Sequence, residues 1–210
     1  MKVVLLAHTP EPEKLVADAA RTCYLSFGRS SPASDARLIR NLISLGHLSV
    51  LEHATATFRV TGCTRAFTHQ LVRHRLCAFS QQSQRYVDEK DFAVAVPDTI
   101  AASRPARRLF EQTVDAIREA YASFRDMGIP GEDARFILPN AVFSEIVFSA
   151  NFRQLRHMIV IRGERRAQWE IREVFVEILK LMQRIAPLIF GDLEVDEERG
   201  CVRPVRQGEP

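Results

Sequence analysis

Residues 54–60 alternate in character. Ala54, Ala56, Phe58 and Val60 are apolar, and the residues between them, Thr55, Thr57 and Arg59, are polar. A period of two is that of a strand with one buried face. Further strands are predicted at 2–8, 92–96 and 142–149. Elsewhere the apolar period lengthens to that of a helix. Leu15, Val16, Ala19 and Ala20 share a face in a helix over 13–24 that follows Pro12. Leu38, Ile39, Leu42 and Leu45 mark a second helix, capped by Ser34 and ended by Gly46. A helix over 63–75 turns Phe67 and Leu71 inward and sets Gln70 and Arg73 together on another face. Ser103 opens a long helix through Leu109, Val114, Ile117, Tyr121 and Phe124, closed by Gly128 and Pro130.

Residues 131–138 predict a short helix that carries Arg135 and stops at Pro139. Asn151 caps a helix to Arg162 with Leu155, Met158 and Ile159 along one side. The last helix, 167–186, has the stripe Ile171, Val174, Phe175, Ile178, Met182 and Ile185 and ends at Pro187. The charged tail, 193–210, is predicted to fray. The sum is a single α+β domain over 1–210: a small, mostly antiparallel sheet packed with long helices, without repeat or linker.

Composition narrows the classes of function. No apolar run approaches the ~18 residues of a membrane span. The opening Met1–Ala7 is too short for a signal peptide and is not followed by a small-residue cleavage site, so a cytoplasmic protein is expected. The formal net charge of +3 is too weak to indicate a nucleic-acid binder, and the aromatics fall on apolar stripes rather than among basic residues. Cys23, Cys63, Cys77 and Cys201 have no Cys-x-x-Cys spacing and read as reduced, mostly buried thiols. The six histidines form no helical His-x-x-x-His pair, so no metal site is expected.

The positive charge is skewed: only four of the 29 basic residues are lysines, so 25 are arginines. Genome composition accounts for much of such an excess, and weight falls on the arginines within motifs. The densest stretch is 73–86, Arg-His-Arg-Leu-Cys-Ala-Phe-Ser-Gln-Gln-Ser-Gln-Arg-Tyr. Arginine grips phosphate with paired, charge-assisted hydrogen bonds, and serine adds a neutral donor. The chain has neither a Gly-x-Gly-x-x-Gly turn nor a P-loop, so a bound dinucleotide must be gripped by side chains.

The Arg73-His74-Arg75 triplet, seven residues and then Ser83, with Ser83-Gln84-Arg85-Tyr86 trailing, resembles the signature of the flavin-dependent thymidylate synthases. Further blocks resemble that family in order. They are Ala20 to Tyr24, Gly46-His47 with Glu52-His53, Ala134-Arg135 with Leu138-Pro139, Asn151-Phe152-Arg153, and Arg162 with Ala167 to Ile171. The likeness runs from about residue 15 to about 192.

The resemblance implies FAD held by Ser49, Arg73, His74, Arg75, Leu76, Gln81, Asn151, Arg153 and His157. It implies dUMP held by Gln70, Arg73, Gln81, Ser83, Arg85 and Arg135, with Arg162 at the uracil ring as the catalytic cation. The implied reaction is reductive methylation of dUMP to dTMP, with methylenetetrahydrofolate as carbon donor and NADPH as the source of reducing equivalents. A homotetramer with shared sites is implied as well.

The chain departs from the family in three places. Ser80-Gln81 stands where many members have Asn-Glu, Ala78 where many have serine, and Arg166 where many have histidine. Other readings are a folate-only enzyme with Cys77 as nucleophile, an arginine-rich nucleic-acid module, and a scaffold without ligand. The colour of the purified protein separates the last from a flavoprotein.

Overall fold

The computed structural model describes residues 1–205. In chain order its elements are β1 (Lys2–His8), α1 (Pro12–Thr22), α2 (Pro32–Ser44), β2 (Thr55–Thr64), α3 (Arg65–Leu71), β3 (Cys77–Gln81) and α4 (Asp98–Ala101). Then follow α5 (Arg104–Asp126), α6 (Gly131–Ala134), β4 (Phe143–Asn151), α7 (Phe152–Gly163), α8 (Trp169–Ile185), α9 (Pro187–Phe190), β5 (Leu193–Asp196) and β6 (Cys201–Pro204). Short 3₁₀ turns cover Phe27–Arg29, Leu48–His53 and Arg135–Ile137. The class is α+β, as the periodicity predicts. A four-stranded antiparallel sheet has the order β1-β2-β4-β3, and β5 and β6 form a separate pair. Among the described residues no helix is long and apolar enough to cross a membrane.

The chain divides into two compact units. The mid-chain unit holds residue 1, 61–71 and 80–146; the terminal unit holds 2–60, 72–79 and 147 onward. In the mid-chain unit Phe92, Val114 and Val142 form a buried core with Val94, Phe110, Ile117 and Leu138 against it. In the terminal unit α7 and α8 bury Leu155, Met158, Ile159, Val174, Phe175 and Ile178. The rings of Phe152 and Phe190 meet edge-on there at 5.5 Å. Arg156 forks onto Asp192 at 2.7 Å through both terminal nitrogens and also bonds the Ile189 carbonyl.

Several predicted boundaries move, each for a physical reason. The cap of α2 is Ser31. Its hydroxyl accepts from the Ser34 amide while the Ser34 hydroxyl accepts from the Ser31 amide, so Ser34 is the inner partner of a capping box. Gly46 closes that helix at φ 72° in a Schellman motif: its own amide bonds Ile43, and the His47 amide bonds Leu42.

The helix expected over 63–75 is only α3. Cys63 and Thr64 remain in β2, and Cys77–Gln81 join the sheet as β3. The strand expected at 92–96 is a single bridge, Val94 to Val142. Continuing that register sets Pro97 opposite Pro139, neither of which has an amide hydrogen to extend the ladder. Pro187 ends α8 and also begins α9.

The tail expected to fray is structured over 193–204 as the antiparallel β5–β6 pair, with Leu193 opposite Pro204 and Asp196 opposite Cys201. Leu193, Cys201 and Val202 are buried. The charges that made the segment look solvated pair with one another, Glu194 with Arg203 at 2.9 Å and Asp196 with Arg199 at 3.5 Å. The tail residues 206–210 lie outside the described residues.

Candidate active site

In the terminal unit, α7 and the turn at 72–76 carry most of the residues singled out. Asn151 caps α7, its side-chain oxygen accepting from the backbone N–H of Gln154 at 2.8 Å. The four-residue steps Gln154, Met158 and Arg162 then form one stripe along the helix. All three meet the segment that holds His74. Arg162 Nε donates to His74 Nε2 at 3.0 Å, the Gln154 amide lies 3.5 Å from His74 Nδ1, and Cys77 Sγ lies 3.5 Å from Met158 Sδ.

Burial, and then the charges of Arg162 and His157, lower the His74 pKa to about 4. The ring is therefore neutral near pH 7, and its Nε2 lone pair is available to Arg162. Burial alone pushes the Cys77 thiol up to about 11.

The next stripe of α7, Arg153, His157 and Val160, faces a cleft of about 630 Å³ that also takes in Leu48, Leu76 and Asn151. Arg153 pairs at 2.5 Å with Glu52 in the same cleft. Of the residues expected to bind a flavin, the structure thus brings Leu76, Asn151, Arg153 and His157 together. Ser49 sits in the 3₁₀ turn beside Leu48 and is exposed. Arg73 and Arg75 bracket the buried His74, are themselves exposed, and make no ion pair with another described residue. These three do not line the cleft.

In the mid-chain unit, Gln81 donates from Nε2 to Thr68 Oγ1 at 2.9 Å, and Gln70 donates to the Ala66 carbonyl at 3.1 Å. Ser83 Oγ accepts from the Arg85 amide at 3.2 Å, while the Arg85 guanidinium pairs with Glu132 at 2.8 Å. Arg135 donates from Nε to the Glu132 carbonyl and lines a cleft of about 340 Å³ with Arg65, His69 and Gln84. Of the residues expected to bind dUMP in this unit, only Arg135 lines that cleft.

Neither motif nor resemblance gives a role to Gln154, Arg65 or His69. Gln154 was legible as the residue two helical turns before Arg162. Arg65 and His69 were legible at a helical step of four within α3. Glu52 belongs to the Gly46 to His53 block and had no implied role. Arg21 of the block Ala20 to Tyr24 has a structural role. It is buried and spends its Nε and Nη2 on Asp35, at 2.8 and 2.5 Å, and on Ser34.

Exposed arginines, a capped helix and an apolar-walled cleft occur together in an α+β protein without a glycine-rich turn. The sequence profile of the family described as thymidylate synthase complementing protein matches residues 4–188. The chain belongs to that family. It is 46% identical over 200 residues to a flavin-dependent thymidylate synthase of Geobacter sulfurreducens, covering 91% of this chain and 86% of that protein. It is 40% identical over 217 residues to one of Nitratidesulfovibrio vulgaris, covering 94% and 89%.

Two crystal structures share the fold. Thymidylate synthase X from Helicobacter pylori, with FAD and dUMP, superposes with a TM-score of 0.76 at 22% identity over 91% of this chain and 98% of that one. The UMP/dUMP methylase PolB from Streptomyces cacaoi, bound with 5-Br dUMP, superposes with a TM-score of 0.78 at 24% identity over 90% and 93%.

Proposed function

We propose that the protein makes dTMP by reductive methylation of dUMP. The carbon of methylenetetrahydrofolate becomes the C5 methyl group, NADPH supplies the reducing equivalents, and the C5 proton is released. The observation that carries this reading is Arg162, fixed at the end of α7 by a neutral His74. It joins the family membership and the names of the relatives above.

The residues present fit a flavin dinucleotide. The cleft at α7 has apolar walls in Leu48, Leu76 and Val160 and a cation in Arg153. Such a mixture suits a ring system attached to phosphates. Arg73, Arg75 and Arg153 would hold the pyrophosphate, and Ser49, His74, Gln81, Asn151 and His157 would complete the grip with Leu76. Bound FAD supplies the redox chemistry that carries reducing equivalents from NADPH.

Arg162, with Gln70, Arg73, Gln81, Ser83, Arg85 and Arg135, would hold dUMP. A guanidinium at the uracil edge favours negative charge on the ring and so raises the nucleophilicity of C5. Gln81 is neutral and bonded to Thr68, so its part is positioning rather than charge. Cys77 is disfavoured as a nucleophile, because its thiol is held protonated against Met158. A homotetramer with shared sites and a cytoplasmic location complete the proposal.

The test is direct. Purified protein is incubated with FAD, desalted, and its ligand released by heat and identified by mass. dTMP is then measured with dUMP, methylenetetrahydrofolate and NADPH present, and with each omitted. FAD recovery and dTMP dependent on all three are expected. A colourless protein that makes no dTMP overturns the proposal.

A further inference from the structure

His74 stands between two side chains of α7. Arg162 Nε is 3.0 Å from Nε2, and the Gln154 amide, placed with Nε2 foremost, is 3.5 Å from Nδ1. His74 and Gln154 are both buried, at 7% and 8% exposure. His157 meets the imidazole edge-on, its ring centroid 6.3 Å away. A guanidinium Nε has a hydrogen and no lone pair to offer, so it can only donate. His74 Nε2 must therefore be the accepting nitrogen. A neutral imidazole has one donor and one acceptor, and its single hydrogen is then on Nδ1. If the Gln154 nitrogen donated to Nδ1 as well, the ring would carry no hydrogen at all and would be an imidazolate. The amide must turn, so that its oxygen accepts from Nδ1–H. Amide orientation follows from such bonding and is free to be assigned by it.

We propose that Gln154 is a positioning residue for the reaction. Through its oxygen it selects the Nδ1–H tautomer of His74, which leaves Nε2 to hold Arg162 by Nε and directs the two terminal nitrogens of the guanidinium to the substrate. The inference rests on the reading that Arg162 meets dUMP. A ring in the other tautomer would present Nε2–H to the Arg162 Nε–H, two donors face to face. Arg162 would keep its charge and lose its fixed direction. Catalytic electrostatics depend on that preorganisation.

The tautomer is read directly from the two ring nitrogens of ¹⁵N-histidine-labelled protein at pH 8, with the His74 signals assigned by their loss in His74→Asn. The Nδ1–H pattern is expected in the wild type. Gln154→Leu, which removes the acceptor and leaves Arg162 alone to favour that tautomer, is expected to shift the ring toward the Nε2–H pattern and to weaken equilibrium dUMP binding about tenfold, the scale of one hydrogen bond to a charged group. Gln154 also borders the cleft proposed for the flavin, so flavin occupancy is measured alongside and dUMP affinities are compared at equal occupancy. Gln154→Glu offers an acceptor at the same reach. It is expected to keep the Nδ1–H pattern and to bind dUMP within about threefold of wild type, well under the loss of one such bond.

An Nε2–H pattern in the wild type overturns the inference, and so does a Gln154→Leu protein with unchanged tautomer or unchanged dUMP affinity. If the leucine variant does not fold, the wild-type spectrum and the glutamate variant decide. If the wild type binds no dUMP, the proposed function falls, and the ring spectrum still accepts or rejects the tautomer.

Discussion

Arg162 Nε donates to His74 Nε2 at 3.0 Å, joining two residues 88 positions apart in the chain. A cation in the last turn of a helix is ordinarily accounted for by the helix dipole, worth ~0.3–1 kcal/mol. The bond to a buried, neutral imidazole gives it a second role, because it fixes the direction of the charge. Arg162→Ala is expected to lower dTMP formation by about 10²–10³, the effect of removing one preorganised donor. Flavin content should stay close to that of the wild type. Thermal unfolding and turnover, measured side by side, separate the roles: near-normal turnover with a small loss of stability would leave only the dipole.

His74 makes stability depend on pH in a defined direction. Burial, then Arg162 and His157, hold its folded pKa to about 4, while the unfolded chain titrates near the ordinary 6.5. Between those values the unfolded state binds more protons, so stability rises with pH across that window. The contribution is whole above pH 6.5 and is lost progressively as the pH falls toward 4. Urea midpoints between pH 4.5 and 7.5 should therefore fall more steeply with acidification in the wild type than in His74→Asn. Parallel curves would mean that the folded ring is not held neutral.

Neither Cys77 nor Ser83 should prove to be a nucleophile. With its thiol pushed up to about 11, Cys77 should resist iodoacetamide at pH 8 while the exposed Cys23 reacts, and Cys77→Ala should retain substantial turnover. Ser83→Ala removes one neutral donor from the proposed dUMP grip and should weaken dUMP binding by ~0.5–1.5 kcal/mol, with turnover retained at saturation. Complete loss of dTMP formation in a folded, flavin-bound protein of either kind would point to covalent catalysis instead.

Gly163, next to Arg162, lies against Val202 of β6. A methyl group there would come within 2.5 Å of Val202 Cγ2 and 2.9 Å of its Cβ. Gly163→Ala is expected to cost ~1–3 kcal/mol through overpacking. Val202→Ala in the same chain should recover part of that loss by making room, although it removes buried apolar atoms of its own. Denaturant midpoints of the two single variants and the double variant measure the coupling. Strictly additive losses would mean that the two residues do not touch.

Much of this was written in the chain itself. The stripes of α7 and α8, the alternation in β2, the caps Ser103 and Asn151 and the closure at Gly46 depend on neighbours within a few positions, where period and local hydrogen bonding act directly. The blocks around Arg73, Arg135 and Arg162 were legible too, as residue types at fixed spacing. Tertiary structure decided the rest. Cys77–Gln81 is a strand because the sheet offers β4 as a partner, and that partner lies more than sixty positions away. The tail pairs as β5 and β6 with Leu193, Cys201 and Val202 buried and its charges paired with one another, whereas composition alone counts it as solvated. Arg21 forms a buried ion pair because folding brings Asp35 against it. Likewise Gln154, His74 and Arg162 become one hydrogen-bonded set only when α7 meets the turn at 72–76. Spacing can place side chains on a common face, but a donor, an acceptor and a tautomer are fixed by distances of a few ångströms between distant segments, and those exist only in the folded protein.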